Sequence, residues 1–146
     1  MPSKIVHFYH SSTDSTAVAA IGTTFDAAKK HTHDLYANAP GYLTRNKSFL
    51  NRFESLLITV SGIAGGATTL TMRVCADAGG DVPVIPDTTA TISTGITTAT
   101  AGSVAFKMDT PILQGGPSVG DGTFYIFFKV DVGSVAISSS VLTWSE

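Results

Sequence analysis

The sequence predicts an all-β fold, an antiparallel β-sandwich of jelly-roll type with an N-terminal arm containing a short helix. Three observations predict it. After residue 52, apolar residues recur at every second position, the period of a strand with one buried face. Breaks rich in Gly, Pro and Asp interrupt these runs every ten to fifteen residues or so, as turns do in a sandwich or barrel. No helix-period segments alternate with the strands, which excludes a parallel α/β sheet.

Taken in order, Lys4 to His10 reads as a strand and Ser11 to Thr16 as a polar turn or loop. Ala17 to Ile21 is a short apolar run ending at Gly22. Thr23 to Lys30 reads as a short helix, with Thr23 or Thr24 as its cap, Asp26 in the first turn and Lys29 and Lys30 near the end. Ala39-Pro40-Gly41 breaks the chain, and Tyr42 to Arg52 is basic with interspersed aromatics. Residues 1–52 hold all four histidines and most of the Lys and Arg. They are expected to form an N-terminal arm or docking segment, and residues 53–146 the sandwich domain.

Within 53–146 the alternation is explicit. Leu56, Ile58 and Val60 face one way, as do Leu70, Met72, Val74 and Ala76, and then Val104, Phe106 and Met108. Ala90 to Ser93 is a shorter strand. Phe124, Ile126, Phe128 and Val130 fill one face of the strongest strand, while Tyr125 and Phe127 make its other face apolar too. Such a strand is central or has its outer face covered. Val135-Ala136-Ile137 and Val141 to Trp144 close the chain.

Composition narrows the function. The chain has 146 residues, the size of one domain with a sizeable core. Charged residues are 14% of it, against about 25% in ordinary domains. The resulting Thr-, Ser-, Gly- and Ala-rich surface suits packing against copies or partners, since few charges need be desolvated; Thr-rich strands also follow from β propensity alone. The net charge is −2, which is no nucleic-acid footprint. Residues 1–54 carry a balance of +2 and residues 55–146 of −4, an asymmetry that either orients the subunit between partners or is chance. The first residues lack the apolar run of a signal peptide, and no apolar stretch is long enough to span a membrane as a helix. The expectation is a chain made and folded in a cytoplasm, with neither membrane nor direct nucleic-acid binding.

No residue set specifies a reaction. Cys75 lies in an apolar strand pattern and reads as a buried, inert thiol. His7 and His10 are three apart on an extended segment and point to opposite faces, which is poor for a shared metal. His31 and His33, with Asp34, lie on one side of an extended turn, but zinc needs three or four convergent ligands. Solvated histidines or pH-sensitive subunit contacts are the plainer reading. Asp77, Asp81 and Asp87 surround a Gly-rich turn and are weak calcium candidates; they lack the carboxylate ladder of an EF-hand, and Asp in tight turns is common for local hydrogen bonding. There is no nucleophile elbow, phosphate loop or dinucleotide fingerprint, and Glu54 has no carboxylate partner for glycosidase chemistry. The basic stretch Arg45 to Arg52 is either a contact arm or a solvated loop. No enzyme activity, no cofactor and no catalytic residue is expected.

The stretches Leu57-Ile58-Thr59-Val60-Ser61-Gly62, Leu70-Thr71-Met72-Arg73-Val74, Thr123 to Val130 and Val141-Leu142-Thr143-Trp144 resemble small β-sandwich proteins of bacteriophage and virus particles. These are capsid decoration (cement) proteins and single jelly-roll capsid subunits. The resemblance covers about the last ninety residues and is one of style, without a diagnostic motif. It implies a virion structural protein, synthesised in a host cytoplasm and residing on the capsid surface or in the shell. It further implies a homo-oligomer, a trimer being favoured, bound to other capsid proteins through an arm. Interface candidates are Tyr9, Phe25, Tyr36, Tyr42, Phe49 and Arg52, because aromatics and Arg are enriched at interfaces. The alternative is a carbohydrate- or surface-binding β-sandwich module, calcium-dependent through Asp77, Asp81 and Asp87, with Trp144 and Tyr125 as stacking residues.

Overall fold

The structure is a computed structural model that describes residues 9–35, 52–97, 99–111 and 122–145, the last three residues of the third stretch by their backbone alone. Its strands are β1 (Tyr9–Asp14), β2 (Val18–Ile21), β3 (Lys30–Asp34), β4 (Arg52–Ala64), β5 (Thr69–Cys75), β6 (Thr88–Thr91), β7 (Gly102–Pro111), β8 (Thr123–Val130) and β9 (Ser134–Ser145). They form two antiparallel sheets. The first runs β1-β9-β4-β7, with β2 also paired to β9; the second runs β3-β8-β5-β6.

The pairing is nested. β1 pairs with β9, β3 with β8, β4 with β7 and β5 with β6, and these four pairs fall alternately in the first and second sheet. A chain folded back on itself as one long hairpin, then rolled, produces this order. It is the topology of a jelly roll.

The period-two rows read from the sequence are the rows that meet between the sheets. Leu56, Ile58, Val60, Val104, Phe106 and Leu142 from the first sheet, and Leu70, Met72, Val74, Phe124, Ile126 and Phe128 from the second, are buried in one core. Phe53 and Phe124 pack edge to face across it, 5.3 Å between centroids. β8 is an inner strand of its sheet, and its outward Phe127 is also buried. The cover is the turn after β5: a Cβ on Gly80 would lie 3.3 Å from the Phe127 ring. Cys75, next to this turn, is buried as well, and its thiol is pushed up to about 11, first by burial and then by Asp77.

Three expectations for the first 52 residues differ from the structure. The short helix at Thr23–Lys30 is absent. Asp26 closes a turn there instead, accepting from Ala28 N–H through its carboxylate and from Lys29 N–H through its carbonyl, both at 2.9 Å. Eight residues gain too few helical bonds to offset nucleation, and from Lys30 the chain is extended along β8. Second, Ser11 to Asp14, expected as a loop, is strand, paired with Ser140 to Thr143. Third, β1, β2 and β3 are woven into the two sheets, so this part of the expected arm lies inside the sandwich. Residues 1–8 and 36–51, which include His7, Pro40 and all of the basic stretch but Arg52, lie outside the described residues.

Candidate functional site

β1 and β2 run along the same edge of β9, and the ladder breaks between them. Asp14 pairs with Ser140 and Val18 with Ile137. β9 shifts register against β4 at the same level, between Ile137 and Ser139. The two irregularities have local causes and one shared result. Asp14 accepts from Thr16 N–H at 2.8 Å, turning the chain out of the ladder, and the Thr16 carbonyl is left to accept from a side chain. On β9 the shift places Ser140 in the inward row with Val135, Ile137, Leu142 and Trp144.

Into this gap β3 directs His31 and His33, two residues apart and therefore on one face. Both are fully buried, as is Ser140. His31 Nε2 lies 2.7 Å from the Thr16 carbonyl and His31 Nδ1 2.5 Å from Ser140 Oγ. His33 Nε2 lies 2.8 Å from the same Ser140 Oγ, and His33 Nδ1 3.0 Å from Ser12 Oγ. The His31 ring also meets Phe128 edge-on, 5.7 Å between centroids. Solvated histidines or pH-sensitive subunit contacts were expected; instead the pair is buried, the polar centre of the flank where β1 and β3 close the sandwich. Asp14 ties the same flank from outside, accepting from Thr32 N–H at 2.8 Å.

Proton positions follow from the partners. A carbonyl oxygen only accepts, so His31 Nε2 carries a hydrogen, and in the neutral ring Nδ1 is bare. Ser140 must then donate to His31 and accept from His33 Nε2–H, leaving His33 Nδ1 to accept from Ser12. With both rings neutral, one arrangement satisfies all four bonds. Burial is the first cause holding His33 down at about 4, and the neighbouring His31 the second, with Asp14 acting the other way. Asp14 itself sits below its ordinary value: burial pushes it up, but the Thr16 hydroxyl and the N–H groups of Thr32 and Thr16 outweigh that, with His31 adding to them. Ser140 lies between two imidazoles, yet it is sealed from solvent and cannot reach a substrate.

The remaining candidates are scattered. Tyr9 is 63% exposed on the outer face of the first sheet, and Arg52 begins β4 in that sheet, half-buried. Phe25 is on the other side of the molecule, where the Arg73 guanidinium lies 4.3 Å and the Lys129 ammonium 4.9 Å from its ring centre. Tyr36, Tyr42 and Phe49 lie outside the described residues. Asp87 forks Arg73 with two bonds of 2.9 and 2.8 Å, and this pairing, before its charge alone, lowers the carboxyl's pKa. Asp77 accepts from Asp81 N–H at 3.0 Å and Val82 N–H at 2.8 Å, so it holds its own turn together. Among the described residues no three His, Cys, Asp or Glu side chains converge on a point that could hold a metal ion. Trp144 is buried against His10, 4.5 Å between centroids, and is not on a surface where a sugar could stack. Glu54 accepts from Ser145 Oγ at 2.5 Å.

The outer face of the first sheet is a further candidate surface, one that no motif in the sequence marks. Strand register places Ser11, Thr13, Ser139, Val141, Thr143, Ser55, Leu57, Thr59, Ser103 and Ala105 there beside Tyr9. Lys107 joins these rows opposite Ser55, and Arg52 joins the Tyr9 row opposite Ser145, to which Glu54 is bonded. Leu57 is 45% exposed in the middle. The odd-numbered complement of the core rows was the available signal.

No family model and no curated protein matches the sequence. Solved structures similar to it include Cocksfoot mottle virus, at 14% identity over 93% of this chain and 83% of that one, with a TM-score of 0.31. CBM35 from Cellvibrio japonicus Abf62 aligns at 11% identity over 92% of each chain, with a TM-score of 0.44. The native virion of Kashmir bee virus aligns at 11% identity over 94% of this chain and 70% of that one, with a TM-score of 0.40. Likeness at this level assigns none of their properties to this chain. No helix among the described residues is long and apolar enough to cross a membrane.

Proposed function

We propose that the chain is a structural subunit of a virus particle, a bacteriophage capsid decoration (cement) protein or a single jelly-roll shell subunit, residing in the virion. It acts as a homo-oligomer, a trimer being favoured, bound to other capsid proteins. The observation that carries this reading is the outer face of the β1-β9-β4-β7 sheet. Its rows of Ser, Thr, Val and Ala around Leu57 form a surface of low charge, with Lys107 on the edge strand β7 and Arg52 at the start of β4. Interface cores are depleted in charge in the same way. Jelly rolls are also used in capsids and in lectins, but fold alone does not choose between them.

The test is solution mass by light scattering, with and without EDTA, on the unmodified chain and on Leu57→Arg. The expected result is a discrete trimer or larger ring, indifferent to EDTA, that Leu57→Arg converts to a folded monomer. An unmodified chain that stays monomeric and binds no shell overturns the reading. A mass that shifts with EDTA, together with a signal on a glycan array, replaces it with the sugar-binding module and directs attention to Asp77 and Asp81.

A further inference from the structure

We propose that the His31–Ser140–His33 relay is an acid-sensitive seam: it holds β1 and β3 together at neutral pH and releases that flank of the sandwich in mild acid. The inference stands on the relay's geometry and is independent of the particle reading.

Ser140 has one hydroxyl hydrogen and lies within hydrogen-bond distance of both rings. With both rings neutral, every group in the relay has a partner. One added proton is still accommodated. It can sit on His33 Nδ1, with Ser12 turning from donor to acceptor. It can also sit on His31 Nδ1, with Ser140, His33 and Ser12 all reversing direction. A second proton cannot be placed. Both rings would then donate to Ser140 Oγ, whose own hydrogen would have no acceptor, and two cations would share a dry site.

The surrounding elements offer little compensation. From β1, Asp14 is the carboxylate that acts on the pair, and His10 is the other titratable group of the inward row, stacked on Trp144. The β8 residues paired with the two histidines are Ile126 and Phe124, with Phe128 beyond. β9 brings Ser140 flanked by Ile137 and Leu142, and β2 brings Val18 and Ile21. Lys30 and Asp34 alternate to the outer face of β3. One negative charge therefore faces two rings, enough for one proton. The groups held by the relay are Ser12 of β1, the Thr16 carbonyl and the edge strand β3. Their separation frees an edge of each sheet while the β4–β9 and β4–β7 pairings stay intact.

Amide hydrogen exchange, corrected for intrinsic rates, tests this on the whole chain at about pH 7.5 and about pH 4.5. Amides of β1, β2 and β3 are expected to lose protection by about tenfold or more in acid, while those of β4 and β7 hold. His33→Gln, which keeps hydrogen-bonding capacity without titrating, is expected to suppress that loss. If it fails to fold, His31→Gln serves equally, because either leaves a single ring. Loss spread evenly over all strands, no loss, or loss persisting in the folded variant overturns the proposal. Nitrogen-15 shifts of the unmodified protein give an independent reading. Both rings should show protonated Nε2 and bare Nδ1 at about pH 7.5; two cationic rings at about pH 4.5 with the seam still protected would overturn it.

Discussion

Ser140 is a small side chain that gives its one hydrogen to one imidazole and takes a hydrogen bond from another. The energetic consequence can be followed through His33, whose ring titrates at 6.5 when solvated and at about 4 in the fold. As pH falls, the unfolded chain takes up the proton first. Stability is therefore full above about 6.5, declines between that value and about 4, and levels off below it. The difference corresponds to about 3 kcal/mol, which urea denaturation at stepped pH would read as a falling midpoint that His33→Gln flattens. Cys75 supports a second expectation at this scale. A buried thiol held near 11 should not react with a thiol reagent at about pH 8 until the protein is unfolded. Labelling of the native protein within minutes would show that the 77–81 turn opens.

The β4–β5 and β8–β9 connections pack backbone against backbone. Gly133, at φ +70°, faces the Ala64 carbonyl and Gly65, and an added Cβ would lie inside the carbonyl oxygen's contact radius. Gly66, at φ +80°, has open space around it. Gly66→Ala should cost about 1 kcal/mol from backbone conformation alone. Gly133→Ala should cost about 3 kcal/mol or more, because a hairpin must also move. Equal costs in chemical denaturation would mean that the two connections do not pack as described. The same scale explains what was legible in advance. The rows Leu56-Ile58-Val60 and Phe124-Ile126-Phe128 announce their strands because each carries its own alternation. β1 and β3 do not: Tyr-His-Ser-Ser-Thr-Asp and Lys-His-Thr-His-Asp are strands because of partners far along the chain, Ser140–Ser145 and Thr123–Phe127. The burial of His31 and His33 was hidden for the same reason, since it depends on a register shift in β9. Thr23 to Lys30 has helix-like capping residues but no apolar stripe to hold a helix down.

Across the whole molecule, edges are managed unevenly. β6 is four residues long and β3 carries Lys30 and Asp34, both common protections against strand addition. The face of the first sheet around Leu57 is broad and low in charge, with Lys107 opposite Ser55 and Arg52 in the Tyr9 row, which is why the oligomer is expected to form there and to fail with Leu57→Arg. The three outer nested pairings are closed over long stretches of chain, the outermost joining Tyr9 to Ser145. Folding should accordingly be slow for its size, in about the millisecond-to-second range. A microsecond phase carrying most of the stopped-flow amplitude would contradict the nested topology.

That outermost pair also has a geometric consequence. Tyr9 and Ser145 are directly opposed on neighbouring strands, which puts their Cα atoms about 5 Å apart. Anything attached ahead of the one and anything attached after the other departs from the same corner of the barrel. A linker of a few residues between Ser145 and Tyr9 would close the chain into a ring, and a new opening at the exposed Ser93–Gly95 turn would leave every ladder whole. Two fluorophores joined there would sit side by side.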